Sequence, residues 1–236
     1  MLLIRGIISA DGNAEVSPAF ALDAQPDPVD SDPTKPYSLE LLDAGGQVQL
    51  THYFDVVFLS GVEYEAFVFA FALSSVGDLP ASIRLWKEGQ LLAERTAGAA
   101  PPSVTLGAPN GGETWESDTE QTVTWAASDS DGDPLTYALF YSPDDGATWR
   151  PLMMTITDTQ YIIDPSYVPG SDQARIRVLA TDGLHTSADE SDGTFTVETK
   201  APIVGISTPT DGATIPLGAT IDLTGWGYDP DDGDLS

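Results

Sequence analysis

Residues 102–114, PSVTLGAPNGGET, recur almost in step as residues 202–214, PIVGISTPTDGAT. Val104, Leu106, Pro109, Gly112 and Thr114 answer Val204, Ile206, Pro209, Gly212 and Thr214, each pair 100 positions apart. The register continues into an acidic turn, where Asp129 and Asp131 of SDSDGDPL match Asp229 and Asp231 of YDPDDGDL. A period near 100 is too long for a solenoid repeat and is about the length of one small β-sandwich. The second copy reaches Ser236 after two strand-like runs. The sequence therefore predicts an all-β chain of tandem antiparallel β-sandwich domains. A complete domain is expected over 101–199 and a partial repeat, its first two strands only, over 200–236.

Upstream, residues 1–100 hold no copy of the repeat but have the same texture. LLIRGIIS opens as a strand, and the proline- and aspartate-rich stretch 23–36 reads as a loop. Over 37–58, Tyr37, Leu39 and Leu41 alternate, Asp43 to Gly46 turn the chain, and Val48 and Leu50 resume, which is a hairpin pattern. Phe67, Val68, Phe69 and Phe71 in EAFVFAFAL read as a buried strand. Ile83, Leu85 and Leu91 flank a Lys87-Glu88-Gly89 turn as a second hairpin. Antiparallel strands of this kind need a partner sheet, so a first sandwich or jelly-roll-like domain is expected over 1–100. AGAAPP (97–102) and Lys200-Ala201-Pro202 are short linkers that favour a semi-rigid rod.

Charge and composition narrow the setting. The chain carries 37 acidic and 9 basic residues, a formal net charge of −28, and a field of that sign repels nucleic acid and anionic membrane surfaces. With no cysteine, disulfides and thiolate chemistry are excluded. No apolar run approaches the ~20 residues of a bilayer-spanning helix. MLLIRGII has neither the basic start nor the cleavage site of a secretory signal. An export signal is therefore expected upstream, or Met1 opens a processed fragment.

PNGGETW (109–115), TVTWAASDSDGDPLTY (122–137), YSPDDGATW (141–149) and ARIRVLATDG (174–183) resemble the bacterial Ig-like and fibronectin type III-like modules of secreted and cell-surface proteins. The resemblance covers about 103–198, with a partial second copy from 201. It implies a seven-stranded sandwich and an extracellular or cell-surface location in a bacterium. Function follows from sites rather than from such a fold.

The sharpest candidate site is the turn SDSDGDP. Asp129, Asp131 and Asp133 alternate along it, Gly132 permits its tight geometry, and the sandwich topology brings Asp182, with Asp189 as a further candidate, to the same end. Alternating carboxylates can converge on calcium, which takes six to eight oxygens, the rest coming from carbonyls and water. The competing reading is an ordinary solvated Asp-Gly turn. Asp229, Asp231, Asp232 and Asp234 repeat the pattern 100 residues later. SPDDGATW (142–149) matches the Asp-box hairpin turn of sialidase propellers, and a single copy reads as structural, with Trp149 packed beneath the turn.

Catalysis finds no footing. His52 and His185 lie in different expected domains, and neither GxSxG nor HExxH occurs. Trp115, Trp125, Trp149 and Trp226 read as packing residues, whereas Trp86 beside Tyr53 is a candidate carbohydrate platform. The expectation is a non-catalytic extracellular structural or binding module, stiffened by calcium. Its expected partners are neighbouring modules, copies of itself, a carbohydrate or a surface protein. The alternative is an accessory substrate-binding region of a secreted hydrolase or peptidase with its catalytic domain upstream. Ile206, Ile215, Ile221, Leu223 and Trp226 cannot be buried by two strands alone. Further strands following Ser236 would complete them; so would strands from a second copy, and head-to-tail repetition of that contact builds a filament.

Overall fold

Strict alternation of side chains dictates the architecture. The computed structural model describes residues 1–27, 30–57, 63–76, 79–231 and 233–234. Pro28 and Val29 of the expected 23–36 loop, Phe58 at the end of the expected 37–58 hairpin, and Asp232 of the last acidic turn lie outside the described residues.

The first part comprises β1 (Leu2–Ser9), β2 (Ala14–Val16), β3 (Phe20–Ala21), β4 (Tyr37–Leu42), β5 (Val48–Phe54), β6 (Tyr64–Phe71), β7 (Ser82–Lys87) and β8 (Gln90–Thr96). β1 carries β6 on one side and β2 and β3 on the other, and β5-β4-β7-β8 form the second sheet, with every pair antiparallel. Leu2, Ile4 and Ile8 from the first sheet meet Leu39, Leu41, Ile83 and Leu85 from the second in one core. Glu88 and Gly89, at φ 48° and 83°, make the tight turn between β7 and β8.

The buried run expected over EAFVFAFAL is instead half-exposed. Phe67 and Phe71 are buried, but Val68 is 59 % exposed. β6 is an edge strand covered on one face only, so it alternates like any antiparallel edge. Its Phe69 and Phe71, with Phe54, surround His52, whose ring centre lies 4.4 Å from that of Phe69.

The second part comprises β9 (Ser103–Ala108), β10 (Thr114–Trp115), β11 (Gln121–Ser128), β12 (Thr136–Ser142), β13 (Arg150–Ile156), β14 (Gln160–Ile163), β15 (Ser171–Thr181), β16 (Thr186–Glu190) and β17 (Phe195–Val197). One sheet runs β14-β11-β9; the other runs β10-β17-β15-β12-β13, with β16 also on β15. The two sheets face each other as a β-sandwich. Trp115, Trp125, Tyr137, Leu139, Tyr141, Ile176, Val178 and Phe195 fill its core. GTFTVET (193–199) contributes β17, and ahead of it a separate strand on β15 is formed by TSADE (186–190). That stretch has no apolar alternation to announce it, and backbone bonds alone place it.

The two parts are packed together rather than merely tethered. Leu184 joins the first core, and Phe20 packs on Ala138 and Leu179. Thr181 Oγ1 donates to the Ala19 carbonyl at 2.8 Å, and Ala19 N–H donates to the Gly183 carbonyl at 3.0 Å.

Beyond residue 202, β18 (Ile203–Thr208), β19 (Thr224–Asp229) and β20 (Gly233–Asp234) form a three-stranded antiparallel sheet. Among the described residues no sheet faces it: Ile206 and, just before β19, Leu223 are each 75 % exposed, and Trp226 is 56 % exposed. Trp226 is thus not a core residue within this chain, unlike Trp115 and Trp125.

Burial pushes the His52 imidazole below its ordinary value of 6.5. The unfolded chain then binds this proton more readily than the folded one, so stability falls as pH drops through 6.5. Asp30, Asp32, Lys35 and Asp55 line the same surface depression as His52. The melting temperature of the first sandwich is expected to fall between pH 7.5 and pH 5, and His52→Leu to flatten that fall. An unchanged slope in the variant would assign the effect elsewhere.

Candidate metal centre and the module joints

The DxDGD turn is held by its own first residue. Asp129 Oδ1 accepts the N–H of Asp131 at 2.8 Å and of Asp133 at 3.3 Å, and Gly132 takes φ 81°, where a side chain would be strained. Asp129, Asp131 and Asp133 each bring a carboxylate oxygen within 4.8 Å of the others. Asp129 Oδ2 is buried and has no hydrogen-bond partner.

Asp182 arrives from the turn between β15 and β16. Its Oδ1 accepts Leu184 N–H and His185 N–H, both at 2.9 Å, and its Oδ2 lies 2.8 Å from His185 Nδ1. His185 is therefore tied to the site. Gly98 marks where the two turns meet. A Cβ there would collide with Asp133 Oδ2, and would lie 3.1 Å from Asp131 Oδ2 and 3.4 Å from Asp182 Oδ2. The absent side chain at 98 is what leaves room for the carboxylates. Asp189 is not part of this group; it accepts Leu106 N–H at 2.7 Å on the flank of the sandwich.

The cluster faces the preceding linker, not the following module. Asp131 Oδ2 accepts Ala99 N–H at 2.7 Å and Ala100 N–H at 2.8 Å. The same residue 100 positions later repeats the device: Asp231 Oδ2 accepts Lys200 N–H at 2.7 Å, and its Oδ1 accepts Gly170 N–H at 2.6 Å. Burial pushes the Asp231 carboxyl up, but these N–H groups and the Lys200 charge outweigh burial and hold it below its ordinary 3.8. That contribution to stability is present above about pH 3.8 and is lost as pH falls further.

A donor set of three converging carboxylates, one with an orphaned buried oxygen, fits calcium, with carbonyls and water supplying the remaining ligands. Arg95 feels the charge of Asp182, and its Nε donates to the Val16 carbonyl at 2.8 Å. No cation serves Asp129, Asp131 or Asp133 among the described ion pairs.

The Asp-box turn is structural. Asp144 Oδ1 accepts Thr148 N–H at 2.7 Å and Ser142 Oγ–H at 2.8 Å, and Ser142 Oγ accepts Gly146 N–H at 2.8 Å. Trp86 is half-buried, and its Nε1 donates to Glu40 at 2.8 Å; Trp86 and Tyr53 flank Ser38 across neighbouring strands.

No protein-family description matches the chain, and no curated protein does. Among solved structures, the chain is similar to the fibronectin(III)-like modules of Clostridium thermocellum CbhA, at 14 % identity and a TM-score of 0.29, over 77 % of this chain and 82 % of that one.

Asp131→Ala is expected to free Ala99 and Ala100 and to open the 97–102 linker to limited proteolysis, with both sandwiches still resistant. A linker as resistant as in the parent chain would show that the carboxylate does not fasten it.

Proposed function

We propose that the chain is a non-catalytic spacer and binding region of a secreted or surface-exposed bacterial protein, with modules held at fixed angles and the first joint locked by calcium. The observation that carries this reading is the single carboxylate, Asp131, that fastens two linker amides beside the orphaned Asp129 Oδ2. Asp129, Asp131 and Asp133 would hold the ion. Asp182 would add negative charge and one oxygen at the linker face. Calcium would offset the mutual repulsion of these carboxylates and couple two turns of the second sandwich to the linker. The strong negative charge of the chain favours cation uptake and disfavours nucleic acid as a partner.

Self-association through the last segment is a second reading, favoured by the exposed Ile203, Trp226 and Tyr228, which the register places on one face of the β18–β19 sheet. A sheet from a second copy would cover that face, and head-to-tail repetition would give a filament. Sedimentation of the full chain tests it: a monomer at every concentration ends the idea, whereas polymers lost on Trp226→Ser support it.

Calcium at 100 times its dissociation constant is expected to stabilise the chain by about 2.7 kcal/mol relative to chelator. Asp129→Asn should remove that increment. Gly98→Ala should remove it too, because the end of the Asp133 side chain must move away and Asp131 Oδ2 must give slightly. Identical melting in chelator and in millimolar calcium would refute the calcium joint.

A further inference from the structure

The face of β1 that turns away from the first core presents Leu3 and Arg5, which alternate with the core residues Leu2 and Ile4. Opposite it stands the β12-β13-β15-β16 face of the second sandwich. At one end the two faces touch through Phe20, Ala138 and Leu179. Beside that contact they enclose an open-mouthed cavity of about 580 Å³. Leu3 and Leu22 line it from the first sandwich, and Phe140, Met154 and Leu179 from the second. The volume falls in the range of small-molecule sites, and the lining has their usual character of apolar walls with a few polar groups.

Those polar groups are unbalanced in one direction. Arg177 is satisfied: its Nη2 lies 2.6 Å from Glu190 Oε1, and its guanidinium stacks 4.1 Å above the Trp149 ring. Arg5 is not. Its Nε and Nη2 are buried without a hydrogen-bond partner, and it forms no ion pair among the described residues. Trp149 Nε1 is likewise buried and unpartnered. Among the wall residues, every orphaned polar atom is therefore a donor. Leaving a buried donor unmet is costly, the more so for a charged one, so an occupant that supplies acceptors is favoured. Nε and Nη2 lie on one edge of the guanidinium, the fork that grips a carboxylate with two parallel bonds; both atoms are covered by the protein, so a ligand would engage them through a turn of the Arg5 side chain. Asp23, on the same wall, is solvent-exposed and leaves the fork free.

We propose that this cavity between the two sandwiches binds a small amphipathic carboxylate, its acid group on the Arg5 fork and its apolar body against Leu3, Phe140, Met154 and Leu179. The Trp149 indole N–H offers a further bond to an acceptor on the ligand. This site is separate from the carboxylate cluster at Gly98 and does not depend on calcium.

Decanoate and decanol, which share an apolar body and differ in the acid group, test the proposal by calorimetric titration of the full chain in chelator. Decanoate is expected to bind saturably at one site, and decanol at least about tenfold more weakly, as loss of a charged hydrogen bond worth about 1.5–3 kcal/mol implies. Arg5→Gln should erase that preference. Trp149→Phe should keep the preference. Ala188→Trp, at an exposed position on the wall, should block both probes even if Arg5→Gln does not fold. Failure of decanoate to bind, equal affinity for the two probes, or a preference that survives Arg5→Gln would overturn the proposal.

Discussion

A carboxylate that accepts two successive backbone N–H groups fixes the direction of the chain through them, and Asp131 does this to Ala99 and Ala100. The rest of the arrangement follows from that constraint. With the linker pinned, the turn after β15 is held against the first sandwich, where Leu184 completes a core that its own eight strands leave open. Phe20 then finds Ala138 and Leu179, and the outer face of β1 comes to stand across a gap from the second sandwich. Neither a flexible linker nor a purely apolar interface would define the angle so closely. Hydrogen bonds to ionised acceptors are directional as well as strong, and these act on the backbone itself.

The scarce cations are spent at boundaries. Of 9 basic residues in a chain with 37 acidic ones, Arg5 and Arg177 face the cavity, Arg95 reaches the Val16 carbonyl beside the first joint, and Lys200 caps the Val168 carbonyl at the second. Surface pairs such as Lys35 with Asp55 contribute little to stability. Burial lowers the proton affinity of both Arg5 and Arg95, yet an arginine stays charged under such burial. Where these charges lie, water is largely excluded, so their partners matter more than their number.

Much of the fold could be read from alternation alone. Tyr37, Leu39 and Leu41, then Ile83 and Leu85, predicted hairpins at the positions where β4–β5 and β7–β8 occur. The sandwich topology also implied that Asp182 would lie at the end occupied by Asp129 to Asp133. Three things were not readable, each for a physical reason. β16 is made of Thr, Ser, Ala, Asp and Glu, so nothing in its side chains distinguishes it from a loop. Whether an edge strand such as β6 is covered on one face or two depends on a sheet assembled from distant segments. The direction in which the acidic end points, and the cavity beside it, arise from packing between sandwiches, which no period within either one encodes.

The repeat gives the joint a genealogical consequence. Asp131 and the amides it grips lie 31–32 residues apart within one block of sequence, and Asp231 and Lys200 stand in the same relation 100 positions on. The grip on the linker therefore travels with the block, while the Asp231 bond to Gly170 adds a contact to the preceding sandwich. A gene segment copied in tandem would carry the acceptor and its linker together, and each new copy would attach itself in register to whatever precedes it. Lengthening such a chain requires duplication alone, with no prior complementarity to be invented at the point of insertion.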